Sequence, residues 1–297
     1  MRTSTGWVRA LLIGGLALVT MTTSCSDESS PADGASDDGS SSTTSTTTLE
    51  PEAWTATVTG EHVVEDGFRQ GLARSGDGWI FSTNDGMYRT DDEHRRASPP
   101  ADKSEPAIPA ELKAQTYDHV GDIDIADGII WAPMEKGDKD IGEQAVARYD
   151  AESFEFVDSF VVPQHHAAFV AVDEDGIVYS ADEFSDDTLL RYRLEAGALE
   201  PLEPLVMSRS IDRIQGADIA AGAAWLSTDD DHNGIYRVDL GTGEVQDVGS
   251  TGYADGEGEG IDAQAADDGT VELRVLSCDV ALVPVRVIEL LASPSPS

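Results

Sequence analysis

Along most of the chain, apolar residues come in short runs that alternate with polar ones, and Asp/Gly or Ala/Gly pairs punctuate the runs. Four segments align over eleven positions without a gap: LARSGDGWIFS from Leu72, DIDIADGIIWA from Asp122, VAVDEDGIVYS from Val170 and ADIAAGAAWLS from Ala217. Each reads as a short strand, a tight turn and an apolar strand ending in Ser or Ala, the pattern of a half-buried hairpin. Gly78, Gly128 and Gly176 hold one turn position in three of the four. A looser fifth copy, GIDAQAADDGTVELRVL from Gly260, has a longer turn.

A second element follows the copies: Tyr88-Arg89, Arg148-Tyr149-Asp150, Arg191-Tyr192-Arg193 and Tyr236-Arg237-Val238-Asp239, with turn-rich pieces such as LGTGEVQDVGS after it. Hairpins at a near-constant period, about four strands to a unit, predict an all-β fold of the β-propeller type. Five blades fill the domain. A six-bladed ring is the alternative and requires a unit inside the Pro-rich, charged stretch between Asp91 and Tyr117. The last repeat supplies three strands, so the early strand AWTATVTG, residues 53–60, is expected to complete it and remove the open edge.

Outside the repeats the composition changes. The opening MRTSTGWVRALLIGGLALVTMTTSC carries two arginines, an apolar run too short to span a bilayer, and small residues before a cysteine. It resembles a bacterial lipoprotein signal, which implies removal of residues 1–24 and acylation of Cys25; ordinary signal cleavage is the alternative. Residues 25–52 are rich in Ser, Thr, Asp and Gly and predict a disordered tether. The expected organisation is therefore signal, tether, propeller over 53–291 and a disordered tail over 292–297. The expected location is the cell membrane, lipid-anchored and facing outside the cytoplasm, or secreted if no lipid is attached.

Charge narrows the partners. The chain has 57 acidic and 19 basic residues, a formal charge of −38. Such a surface repels phosphate backbones and anionic headgroups, which excludes nucleic acid and leaves membrane contact to the lipid anchor. A monomer binding a small-molecule or protein ligand is expected. Cysteines number two. If Cys25 is acylated, Cys278, in VELRVLSCDVALV, has no partner and reads as a buried inert thiol.

Two acidic stretches invite a cation reading. In GDIDIADG the alternation Asp122, Ile123, Asp124, Ile125 fits a strand closed by an Asp127-Gly128 turn, and Ala126 stands where a calcium loop needs an oxygen ligand. In DDDHNGIYRVDL, Asp229, Asp231, Asn233 and Gly234 match the first half of a calcium loop, but Leu240 replaces the closing Glu. The same residues make a hairpin turn around Asn233-Gly234. Asp229, Asp231 and Asn233 are the candidate metal ligands, and a divalent cation such as calcium is the cofactor they would imply.

The approaches to the inner strands read FRQG, DHVG, QHHAAF, RIQG and GEGEG. In a propeller they converge on one mouth of the central channel. They would gather Arg69, Gln70, Asp118, His119, His165, His166, Arg213, Gln215, Glu257 and Glu259, with Asp122 one step beyond a glycine column at Gly71, Gly121, Gly216 and Gly260. Gln70, His119, Asp122, His165, His166, Gln215 and Glu259 are the candidate ligand-binding set; a watery channel lining is the plainer alternative. Nucleophile motifs of the G-x-S-x-G type, H-E-x-x-H and phosphate-cradling loops are missing from the sequence.

The DGxxWxS repeat resembles the secreted propellers of the SMP-30/gluconolactonase-like and YncE-like families, a likeness at the level of fold over about Trp54 to Leu291. FRQGL and GEGEGI are similar to the FTQGL and FGEGI stretches of plant-type glutaminyl cyclases, which are five-bladed propellers. That resemblance implies catalytic roles for Gln70 and Glu259, although the two stretches are expected here in the first and last blades and not in adjacent ones. Three readings follow: a ligand- or protein-binding propeller, a metal-assisted hydrolase or cyclase in the same channel, or a structural subunit of an envelope complex. In the enzyme reading Glu257 or Glu259 is the general base, and His119, His165 or His166 a metal ligand or acid.

Overall fold

The computed structural model describes residues 52–96, 103–138, 141–182, 187–253, 256–279 and 284–295. The expected signal peptide, Cys25 and nearly all of the tether lie outside the described residues. No described helix is long and apolar enough to cross a membrane.

Every repeat becomes one antiparallel sheet. The innermost strands of the five sheets are Gly71–Ser75, Asp124–Ala126 with Tyr117–Val120, Ala171–Val172, Ile214–Ala220 and Gly256–Ala265. We number the blades one to five in that order. The stretch between Asp91 and Tyr117 contributes a short outer strand to blade one, Lys103–Ser104, and a single helical turn, Ala110–Lys113. That removes the sixth blade. The protein is a five-bladed β-propeller.

Closure follows the predicted route. Trp54–Val63 pairs antiparallel with Arg286–Pro294 and becomes the outer strand of blade five. Trp54 opposes Pro294, so the last strand runs three residues past Leu291 and takes in positions expected to belong to a tail. The reason is local: Ala292, Ser293 and Pro294 find backbone partners in Ala56, Thr55 and Trp54. Trp54 also packs edge-on against Trp225 of blade four at 5.4 Å.

Five apolar clusters hold the ring together, one in each gap between neighbouring blades. Ile80 and Met87 meet Ile130 and Tyr149 between blades one and two, and Trp131 and Phe160 meet Val178 and Tyr192 between two and three. Tyr179 meets Leu226 and Tyr236, Trp225 meets Ile261 and Ile288, and Leu276 and Val287 meet Trp79 and Phe81 to close the circle. Burying both faces of each blade is what turns hairpins, marginal alone, into a stable domain.

The turns vary within the repeat. Asp127-Gly128 and Ala221-Gly222 both have positive φ at each residue, the geometry of a type I′ hairpin. In blade one the positive φ falls on Gly76, while Gly78 begins the next strand with no room for a side chain against the Thr90 carbonyl. Gly78 therefore shares a sequence position with Gly128 and Gly176 but not their conformation.

Candidate functional site at the channel mouth

The glycine column works as expected. A Cβ on Gly71 or Gly260 would collide with the Asp122 carboxylate, and one on Gly216 would lie 2.7 Å from Asp122 Oδ2. Without side chains, three inner strands press directly against one carboxyl group. The backbone N–H of Leu72 donates to Asp122 Oδ1, and those of Ala217 and Ile261 donate to Oδ2, each at 3.2 Å. The Asp122 backbone bonds Ala168 at 2.7 Å and Val170 at 3.2 Å in blade three. One residue of blade two thus touches all the others. Asp122 is fully buried, and burial holds its carboxyl well above the usual carboxylate range, against the pull of its three N–H donors. It closes the axis of the ring and is walled off from any ligand at the mouth.

Repeat serines add to the stitching. Ser82 Oγ donates to the Gly121 carbonyl of the next blade at 2.8 Å, and Ser227 Oγ donates to Glu259 O. Each of these serines, near the end of its apolar strand, ties its blade to a backbone carbonyl of the next.

Above Asp122 lie two neighbouring cavities. One, of 270 Å³, is lined by Gln70, His119, Gln215, Asp229, Glu257 and Glu259, from blades one, two, four and five. The other, of 330 Å³, is lined by Asp118, His119, Glu135, Lys136, Gly137 and His166. His119 borders both. Gly260 N–H donates to the Gln70 carbonyl at 3.1 Å, so the FRQG and GEGEG approaches are in contact. This corrects the expectation that the two stretches fall in blades that are not adjacent, because first and last blades are neighbours in a closed ring.

His165 stands apart from this lining. It is exposed beside Gly142, and its backbone N–H, like that of His166, donates to Asp182 at 2.8 Å. His166 turns inward, where its Nδ1 lies 3.1 Å from Glu135 Oε1 and both side chains are buried. The Ala167 N–H donates to the same Glu135 oxygen and fixes it. Lys136 Nζ lies 3.1 Å from Glu143 and over the Tyr117 ring at 4.7 Å.

Asp229 faces Arg213 at 3.5 Å, and Arg213 also reaches Asp231 at 3.4 Å and Asp212 at 3.8 Å. Burial raises the Asp229 carboxyl above its ordinary range, Arg213 draws it down and Glu257 pushes it up. The turn does not gather its calcium-like residues on one point. Asp231 is almost wholly exposed, while the Asn233 amide donates to Tyr253 and Gly256 and accepts from Gly258 in blade five. Asp230, between Asp229 and Asp231, caps the turn by accepting from the His232 and Gly234 N–H groups and the Tyr236 hydroxyl. Among the described residues no group of three or more His, Cys, Asp or Glu side chains is arranged to hold a metal ion. Cys278 is buried with its thiol 3.7 Å from the Arg69 carbonyl, and burial raises its pKa strongly, so it is no nucleophile.

Glu135, Lys136 and Asp229 belong to the lining, although the approaches to the inner strands do not contain them. They sit at or just past the ends of second strands, Ile129–Lys136 and Ala223–Thr228. Their trace in the sequence is an acid or base directly after an apolar run, as in IIWAPMEK.

No family model matches the chain, and neither does the sequence of any curated protein. Solved structures do resemble it. A putative exo-β-1,3-galactanase from Bifidobacterium bifidum aligns at TM-score 0.51 and 16% identity, over 80% of this chain and 96% of its own. The Mala s 1 allergen of Malassezia sympodialis aligns at TM-score 0.51 and 8% identity, over 75% and 77%. A gluconolactonase from Xanthomonas campestris aligns at TM-score 0.48 and 13% identity, over 77% and 73%. What the first two share with the chain is the fold. Function has to be argued from the site.

Proposed function

We propose that the protein is an extracytoplasmic, lipid-anchored propeller that binds a small polar ligand at the channel mouth. One observation carries the reading: side chains from blades one, two, four and five converge on a 270 Å³ cavity at the ring axis. Two amides, an imidazole and three carboxylates line it, a set suited to hydroxyl groups or a cation rather than an apolar body. The acidic balance of the chain, −38, also favours neutral or cationic ligands over anions. Calorimetric titration with calcium chloride and with a neutral hexose, on the wild type and on Glu259→Gln and His119→Ala, tests it. Either variant is expected to weaken binding about tenfold or more while melting close to the wild type. Unchanged binding in both variants would move the ligand site to the blade faces.

A second reading has its own observation. Ring closure puts Gln70 and Glu259 on the same cavity, as the likeness to glutaminyl cyclases requires. There Glu259 would take a proton from the α-amine of an N-terminal glutamine as that nitrogen bonds to the side-chain Cδ, and hand it to the Nε nitrogen, which leaves as ammonia when the Cδ–Nε bond breaks. Ammonia release from a glutaminyl peptide, lost in Glu259→Gln, is the expected result; no release by the wild type would retire this reading.

A further inference from the structure

The opposite end of the ring carries a cavity that the mouth does not explain. It has a volume of 330 Å³ and lies where the inner hairpins of blades two and three turn, reaching Ile219 of blade four. Ala126, Ile129, Val172 and Ile219 form an apolar lip, all of them half-buried. Trp131 and Arg148 close one side. The Arg148 guanidinium stacks over Trp131 at 5.0 Å and makes two hydrogen bonds of 2.7 Å to Asp158, so its charge is compensated.

The remaining rim is acidic. Asp127, Asp173 and Glu174 line the cavity, and Asp173 already accepts from the Asp175 and Ile177 N–H groups and the Tyr179 hydroxyl. Behind the apolar lip Asp124 accepts the Val172 N–H and Asp218 the Ile219 N–H, each at 2.7 Å; burial raises both carboxyls above the ordinary range, so the rim charge rests on Asp127, Asp173 and Glu174. An apolar lip with a negative surround complements a molecule that has an apolar body and a positive head. The volume lies at the low end of the range for small-molecule sites, which fits a compact amine and not a folded partner.

We infer that this opposite mouth is a binding site for a small organic monocation, with the apolar body against Ala126, Ile129, Val172 and Ile219 and the ammonium towards Asp127 and Glu174. The site is independent of the polar mouth, since the two share no residue. A neutral molecule of the same shape would keep the apolar contact and lose the charge attraction. An anion would be repelled.

Titration of the purified protein with phenethylammonium, read by calorimetry and by tryptophan fluorescence, tests the inference, with 2-phenylethanol and 3-phenylpropionate as the neutral and anionic counterparts. Asp127→Asn with Glu174→Gln removes two of the three rim charges, both at exposed turn positions, and Asn keeps the positive φ of residue 127. The expected result is saturable ammonium binding, at least tenfold weaker binding of the alcohol, none of the acid, and a fivefold to tenfold loss for the ammonium in the double variant. Glu259→Gln should leave that affinity unchanged. Equal binding of amine and alcohol, no binding up to about 10 mM, or a loss in Glu259→Gln instead of the rim variant would each overturn it.

Discussion

Gly260 and Asp122 meet at the axis of the ring so closely that a methyl group on Gly260 would collide with Asp122 Oδ1. They come from blades five and two, and their contact makes the centre a packed joint. Gly260→Ala should therefore force blade five outward. Asp122→Ala should leave three buried N–H groups without an acceptor, each costing about 1–3 kcal/mol. Asp122→Asn keeps one oxygen and should cost less. Denaturant unfolding of the three variants should rank Asp122→Asn mildest. A neutral Asp122→Ala would refute the role of the carboxylate.

The closing strand is the next weak point. Removing residues 1–63 deletes Trp54–Val63, exposes the edge of Arg286–Pro294 and takes Trp54 away from Trp225. Loss of cooperative folding, or association through the bare edge, is expected on size-exclusion chromatography and thermal melting. A cooperatively folded monomer of unchanged stability would show that closure is dispensable.

Stability should depend on pH through the axial acids. Burial raises the carboxyls of Asp122, Asp218 and Asp262, and brings Asp124 up to about 6. A carboxyl raised on folding favours the folded state while both states are protonated. That contribution fades as pH rises from about 4 through the folded value, so stability should decline from pH 4 to beyond 6. For Asp124 alone the change is on the order of 3 kcal/mol. Hydrogen-bonded surface acids act in the opposite direction. Asp91, bonded by Arg95, Asp150, bonded by Ser153, and Asp268, bonded by Thr270, are held below their ordinary range and lose stability as pH falls below about 4. Melting temperatures across pH 3–8 should peak on the acid side of neutrality. A steady rise towards pH 8 would contradict the axial acids as the controlling groups.

Anchoring is tested at Cys25. Cys25→Ala should move the protein from the membrane fraction to the medium or leave an unprocessed precursor. A correctly cleaved mutant that stays with the membrane would remove the lipid anchor from the proposal.

The strands, the hairpin turns and the period that makes five blades are legible in the sequence because each depends on local rules. Alternation buries one face of a strand, and Asp-Gly or Ala-Gly supplies the two positive φ angles of a tight turn. The closing partner of the last repeat is legible too, since a unit one strand short needs a strand from elsewhere. Adjacency around the ring is different. Glu259 and Gln70 are distant along the chain, and only the pairing of Trp54–Val63 with Arg286–Pro294 makes their blades neighbours. Burial separates residues that look alike in sequence. Asp122 and His119 lie three positions apart, yet one is the sealed pin of the axis and the other borders both cavities. Glu135 joins the site because His166 and the Ala167 N–H reach it from the next blade. Such contacts are set by how five sheets pack around an axis, and no local pattern in the chain encodes that distance.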